Sequence, residues 1–194
     1  MRPVFIALEA RDGVGKTTLA RALAARFGGV ALNTPGDGLR AVSSAVLQGL
    51  GPHQDARCLF YAASVLARGV EARRLVEGGA SVVMDRYWLS TISYGRARGV
   101  AARLSGVEAL VPTPDLTVLL VVDEAERASR LRARGLTAAD RETLDGTFRE
   151  RVLHEMRSPE RRPGLRPGLE VDVTGLGPTA TLEAVAKRIA DFFC

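Results

Sequence analysis

Short runs of apolar, β-favouring residues alternate with longer stretches of helical spacing along this chain. Val4-Phe5-Ile6-Ala7-Leu8, Val30-Ala31-Leu32, Ser81-Val82-Val83-Met84, Leu116 to Val122 and Leu169 to Val173 read as strands. Their near-continuous hydrophobicity suits strands buried on both faces. Between them, helices are predicted from Lys16 to the Gly28-Gly29 stop, over Leu39–Leu50, Gln54–Glu77, Trp88–Arg98 and, weakly, Val100–Val111. Further helices are predicted over Ala125–Arg134, with Asp123-Glu124 as cap, over Asp140–Arg157, and from Thr179 or Thr181 to Phe193. Gly135–Ala139 reads as a loop and Ser158–Gly168 as a surface connector. Strands alternating with helices predict an α/β fold: five parallel strands flanked by helices on both faces, in three layers, as a single domain over residues 1–194.

The junction after the first strand carries the strongest chemical signal. Glu9-Ala10-Arg11-Asp12-Gly13-Val14-Gly15-Lys16-Thr17-Thr18 links that strand to the first helix. A strand, a glycine-containing turn and a helix opening with Gly-Lys-Thr are the context of a phosphate-binding loop. Gly13 and Gly15 let successive N–H groups face one hollow, and the helix N-terminus adds its partial positive charge. Lys16 can reach the outer phosphates of a nucleoside triphosphate, and the Thr17 hydroxyl can hold Mg²⁺. The strict motif begins with Gly where this chain has Ala10, so the loop must enter its turn with ordinary backbone angles there. The chain has only two lysines, Lys16 and Lys187. A compact ammonium at residue 16, in a chain that otherwise uses arginine, fits a phosphate seat.

Composition narrows the class. The 194 residues are 46% hydrophobic and 25% charged, as in ordinary globular domains, with no apolar run of membrane-spanning length. Met1-Arg2-Pro3 leads directly into a strand without a signal-peptide pattern. Cys58 and Cys194 have no metal spacing, which fits a reducing, cytoplasmic setting. The net charge of +5 comes from dispersed arginines with few aromatics, a pattern that suits small phosphorylated ligands better than nucleic acid.

A second constellation, Asp85-Arg86-Tyr87 with Ser90 and Tyr94 beyond, is expected at the carboxyl end of the third strand. There a carboxylate can order a Mg²⁺ water shell, and an arginine can clamp an acceptor phosphate.

With both blocks in hand, the sequence resembles the thymidylate kinase family of nucleoside monophosphate kinases. The likeness rests on FIALEARDGVGKTT, GGASVVMDRYWLSTISYG and PDLTVLLVVDEAERASRLRARG, in the family's order. The resemblance implies a P-loop kinase fold using ATP and Mg²⁺. Asp12, Gly13, Val14, Gly15, Lys16, Thr17, Thr18 and Arg130 would bind ATP, with Thr17 and Asp85 at the metal. Asp12, Pro35, Arg40, Phe60, Arg86 and Tyr94 would hold the acceptor. A lid around residues 135–150 would close over the phosphates. Lys16, Asp85, Arg86, Arg134 and Arg141 would act in transfer, the lid arginines supplying charge because residue 13 is Gly. The resemblance also suggests a homodimer built on the helix from Gln54.

Three departures accompany the likeness. Thr34 replaces the usual glutamate before Pro-Gly, Ala63-Ser64-Val65 stands where the family has Ala-Asp-Arg, and Gly95 follows Tyr94 in place of glutamine. The expected reaction is transfer of the ATP γ-phosphoryl group to a nucleoside monophosphate, pyrimidine and other than plain dTMP, with Gly95 making room for a larger or modified base. The alternative is a nucleoside kinase acting on a sugar hydroxyl, for which Glu9 or Asp12 would be the nearby carboxylate.

Overall fold

The computed structural model describes residues 2–158 and 165–194. Most of the expected Ser158–Gly168 connector therefore lies outside the described residues. The strands are β1 (Phe5–Glu9), β2 (Val30–Asn33), β3 (Val82–Asp85), β4 (Leu116–Val121) and β5 (Leu169–Asp172). They form one sheet in the order β2-β3-β1-β4-β5, every neighbouring pair parallel. The helices are α1 (Lys16–Arg26), α2 (Asp37–Gly49), α3 (Gln54–Glu77), α4 (Trp88–Ala97), α5 (Ser105–Leu110), α6 (Glu124–Arg134), α7 (Ala138–Leu144), α8 (Gly146–Arg157) and α9 (Pro178–Phe193).

Alternation along β1 creates two cores. Val4, Ile6 and Leu8 pack with Leu19 and Leu23 of α1 and Val185 and Ile189 of α9. Phe5 and Ala7 face the opposite way, toward Ala62 and Val65 of α3 and Trp88 of α4. Burying both faces of a strand is what its uninterrupted apolar sequence requires. A third cluster, including Leu89, Tyr94, Leu119, Val152 and Met156, joins α4, β4 and α8.

α2 begins at Asp37 rather than Leu39, and Ala138 and Ala139, expected in a loop, open α7; three larger departures from the sequence-based bounds have local reasons. The charged stretch over Asp140–Arg157 is two helices, because Asp145 ends α7 and caps α8, accepting the Phe148 N–H at 2.8 Å. Residues 100–104 are outside α5, where the Asp55 carboxylate takes the N–H groups of Ala101 and Ala102 at 3.1 and 2.6 Å. The last helix begins at Pro178 rather than at a threonine; proline suits a first turn, whose N–H has no helical partner. The Asp123 cap of α6 stands as expected, its carboxylate accepting from Ala125 and Glu126. Cys58 is buried in the α3–α4 core.

Candidate functional site: a phosphate loop facing an arginine clamp

The loop after β1 and the end of β3 meet because these strands are paired, with Leu8 opposite Asp85. Ala10 is fully buried and has an ordinary backbone, Arg86 being the one described non-glycine residue at positive φ. Gly13 and Gly15 take the left-handed angles instead, φ 88° and 93°. Gly13 is also pressed against α6: a Cβ there would lie 2.9 Å from Leu131 Cγ and 3.2 Å from Arg127 Cγ. After the loop, the first N–H to find a main-chain acceptor among the described residues is that of Leu19, bonded to Gly15 O at 3.2 Å. The donors before it belong to the open helix end, the arrangement that favours an anion.

Lys16 is buried, and its ammonium donates to Arg11 O at 2.7 Å. Burial lowers its pKa to about 8; the Arg86 cation adds to this, and Asp12, Asp85 and Glu9 oppose it. Thr17 Oγ1 donates to Asp85 Oδ2 at 2.5 Å, placing two hard oxygen donors together at the helix start. Arg86, at φ 66°, reaches across the cleft to Asp12, Ser90 Oγ and Ala10 O. A bulky residue in the left-handed region is strained; here Thr34 Oγ1, donating to Arg86 O at 3.1 Å, and Arg86 N, donating to Leu8 O at 3.0 Å, hold it. Burial alone would raise the Asp12 pKa, but Arg86 and Lys16 hold it well below the carboxylate range. Burial pushes Tyr94 up to about 12; its hydroxyl donates to Asp12 Oδ2 at 3.2 Å.

Three adjoining hollows share these walls. A polar cleft of about 320 Å³ is lined by Asp12, Gly13, Gly15, Lys16, Thr17, Thr18, Thr34, Arg40, Asp85, Arg86 and Arg134. On one side a less polar pocket of about 470 Å³ runs from Val14, Thr18 and Arg130 to Leu176, Gly177 and Pro178. On the other, a pocket of about 270 Å³ lies among Pro35, Tyr61, Thr91, Tyr94 and Arg98. The charged cleft thus shares Gly15 and Thr18 with the less polar pocket and Asp12, Thr34 and Arg86 with the pocket beside Tyr94.

The thymidylate kinase family profile matches residues 8–162. The chain belongs to the thymidylate kinase family. It is 37% identical over 146 residues to a probable thymidylate kinase of Archaeoglobus fulgidus, covering 68% of this chain and 71% of that one. It is 34% identical over 169 residues to the thymidylate kinase of Rhizorhabdus wittichii, covering 79% and 81%. Among solved structures, the thymidylate kinase of Candida albicans superposes with a TM-score of 0.75 at 19% identity, over 98% of this chain and 92% of that one. That likeness carries the fold alone. Membership makes the chain a phosphotransferase, an ATP-dependent nucleoside monophosphate kinase.

For a thymidylate kinase family member, the placement of the expected residues is uneven. Asp12, Gly13, Gly15, Lys16, Thr17, Thr18, Arg40, Asp85, Arg86 and Arg134 share the phosphate cleft. Val14 and Arg130 line the less polar pocket; Arg130 donates to Val14 O at 3.4 Å and Leu176 O at 3.3 Å. Pro35 and Tyr94 wall the pocket of about 270 Å³.

Arg141 is exposed and stands off all three hollows. Phe60 does not line the pocket beside Tyr94; its neighbour Tyr61 does, with Phe60 packed edge-on to it at 5.3 Å between ring centres. Periodicity alone could not separate these adjacent aromatics, because both flank the buried stripe through Cys58, Ala62 and Val65. Ser64 and Val65 are buried, and Ala63, Ser64 and Val65 are all absent from the lining of that pocket.

Gly95 does not enlarge the base site. A Cβ there would meet Cys58 Sγ at 2.8 Å, so this glycine serves α3–α4 packing. Glu9 is buried and occupied by Tyr87 N (3.0 Å), Ser90 N (3.2 Å) and Ser90 Oγ, and is no free base for a sugar hydroxyl. The sequence reading missed Arg98 and the 175–178 loop. Arg98 forks onto Glu142 of α7 at 2.9 and 2.6 Å, its guanidinium 5.5 Å from the Tyr94 ring centre. The 175–178 loop follows β5, and its position beyond a carboxyl strand end was the available signal.

Proposed function

We propose that this enzyme phosphorylates a pyrimidine nucleoside monophosphate, with the adenosine of ATP in the Val14–Pro178 pocket and the acceptor base between Tyr61 and Tyr94. The reading is carried by one observation: Lys16 of the phosphate loop and Arg86 from the end of β3 line the same cleft. Catalysis is then alignment and charge neutralisation, since an acceptor phosphate is already a nucleophile. Lys16 leaves the Arg11 carbonyl for the donor phosphates, Arg86 exchanges part of its hold on Asp12 for the acceptor phosphate, and Arg134, at the end of α6 just before the lid segment 135–150, covers the developing charge. Thr17 and Asp85 suit Mg²⁺, an oxygen-seeking ion that keeps several waters and takes few protein ligands. When bound, Mg²⁺ would neutralise phosphate charge. Asp12, held strongly ionised by Arg86, is a poor general base, which disfavours a hydroxyl acceptor.

The base site supports a carbonyl-bearing pyrimidine, because Arg98 at its edge has only donors to offer. With Gly95 committed to packing, nothing in the pocket favours an enlarged base over plain dTMP. A dimer is supported by the exposed Leu59 and Val70 on one stripe of α3 and by α2, which exposes Leu39 and Val42 and buries no residue. No described helix is long and apolar enough to cross a membrane. A cytoplasmic setting fits the use of ATP and the two unpaired cysteines.

The test is an acceptor panel with ATP and Mg²⁺: dTMP, dUMP, UMP, dCMP, CMP, purine monophosphates and the matching nucleosides. Diphosphate formation from dTMP, dUMP or UMP is expected. Phosphorylation of nucleosides alone, or of purine nucleotides alone, would overturn the assignment.

A further inference from the structure

Behind the phosphate loop, on the side away from the cleft, lies a cluster of charged groups that the transfer scheme above does not use. Arg127 of α6 is fully buried. It donates to Glu124 at 2.8 and 2.7 Å, to the main-chain oxygen of Asp12 at 3.0 Å, and to Thr143 at the end of α7 through Oγ1 (3.3 Å) and O (2.6 Å). Glu124 also accepts the Arg11 guanidinium at 2.8 Å, and Arg149 of α8 stands 3.4 Å from it.

Two consecutive loop residues are thus each gripped from both sides. Arg11 is held by its side chain to Glu124, while its carbonyl seats the Lys16 ammonium. Asp12 is held by its carbonyl to Arg127, while its carboxylate engages Arg86. The groups that set Lys16 and Arg86 therefore hang from a scaffold fixed by α6. The same guanidinium carries the end of α7, so one side chain fixes the phosphate loop relative to the segment expected to cover it.

We propose that Glu124 and Arg127 are positioning residues for phosphate binding and transfer, fixing the Arg11–Asp12 backbone from behind and registering α7 against it. A buried guanidinium suits this task because its planar fork serves a carboxylate and two carbonyls at once; lysine cannot. Misplacement of reacting groups by about 1 Å can cost roughly 10²-fold in rate. The inference rests on the nucleotide reading of the cleft but not on the acceptor's identity.

Glu124→Gln keeps the shape and removes the charge that three arginines share; Arg127→Lys keeps the charge and removes the fork. For each, ADP and dTMP affinities are measured by titration calorimetry, kcat and both KM values by a coupled assay, and folding by thermal melting. The expected result is ADP binding weakened about tenfold, dTMP binding weakened several-fold through Asp12 and Arg86, and kcat lowered tenfold to a hundredfold, at temperatures where each variant is folded. Unchanged ADP affinity and kcat in folded Glu124→Gln would overturn the proposal. So would losses that merely follow the unfolded fraction. Should Arg127→Lys not fold, Glu124→Gln, whose side chain is partly exposed, still decides. Wild-type protein that binds ADP but phosphorylates no nucleotide would refute the proposed acceptor and leave the ADP arm intact.

Discussion

Lys16 makes the pH dependence of ATP use a direct test of the site. Burial, aided by the nearby Arg86 cation, brings its pKa from the ordinary 10.5 to about 8. A lowered lysine pKa means that the charged form is present at low pH and lost as pH rises through 8. With that value, about 90% of free enzyme carries the ammonium at pH 7, about half at pH 8 and about 10% at pH 9. Asp12, held below the usual carboxylate range, keeps its charge throughout, so it adds no limb in this window. Between pH 7.5 and 9.5 the phosphates of both substrates are fully ionised, and kcat/KM for ATP should fall towards tenfold per unit above pH 8. At saturating ATP the limb in kcat should move to higher pH, because bound phosphates favour the charged amine. A coupled spectrophotometric assay at constant ionic strength measures both. Lys16→Arg cannot be neutralised in this range, and its bulky fork does not fit a seat made by one carbonyl; it should lose at least about 10²-fold and show no basic limb. A flat kcat/KM from pH 7.5 to 9.5 in the wild type would refute the argument that this buried amine must be charged to receive the triphosphate.

Gly95→Ala should lower unfolding free energy by about 1–3 kcal/mol in urea melts, because its Cβ would meet Cys58 Sγ at 2.8 Å; Cys58→Ala in the same chain should recover most of it. A gain in activity on larger bases, with no change in stability, would contradict that assignment. Arg98→Ala frees Glu142 and uncovers Tyr94, and should raise acceptor KM about tenfold with ATP KM within twofold. Arg134→Ala should lower kcat by about 10–100-fold, since Arg134 lines the phosphate cleft and pairs with Asp140 at 2.6 Å; Arg141→Ala should lose several-fold less. Equal losses would mean that the segment over residues 135–150 rearranges before transfer.

Much of this molecule is legible from one dimension because the signals concerned are local. A strand buried on both faces must be apolar throughout, so β1 and β4 stand out as hydrophobic runs. A phosphate loop needs its glycines, lysine and threonine at fixed spacing on one turn of chain, so Gly13 to Thr17 could be recognised as a unit. Residues that act across the fold left weaker traces. Phe60 and Tyr61 are adjacent on α3, and only the rotation of the helix against α4 decides which ring meets the pocket beside Tyr94. Gly95 looked like spare volume beside Tyr94, but the packing of α3 on α4 fills it with Cys58. Arg11 is separated from Glu124 and Arg127 by more than a hundred residues of chain, and in composition all three are indistinguishable from the dispersed surface arginines and glutamates. The burial of Arg11 and Arg127 follows from α6 packing against the phosphate loop at Gly13. Local covalent geometry wrote the catalytic loop into the sequence, whereas the supports behind it depend on which elements the sheet brings within hydrogen-bonding distance.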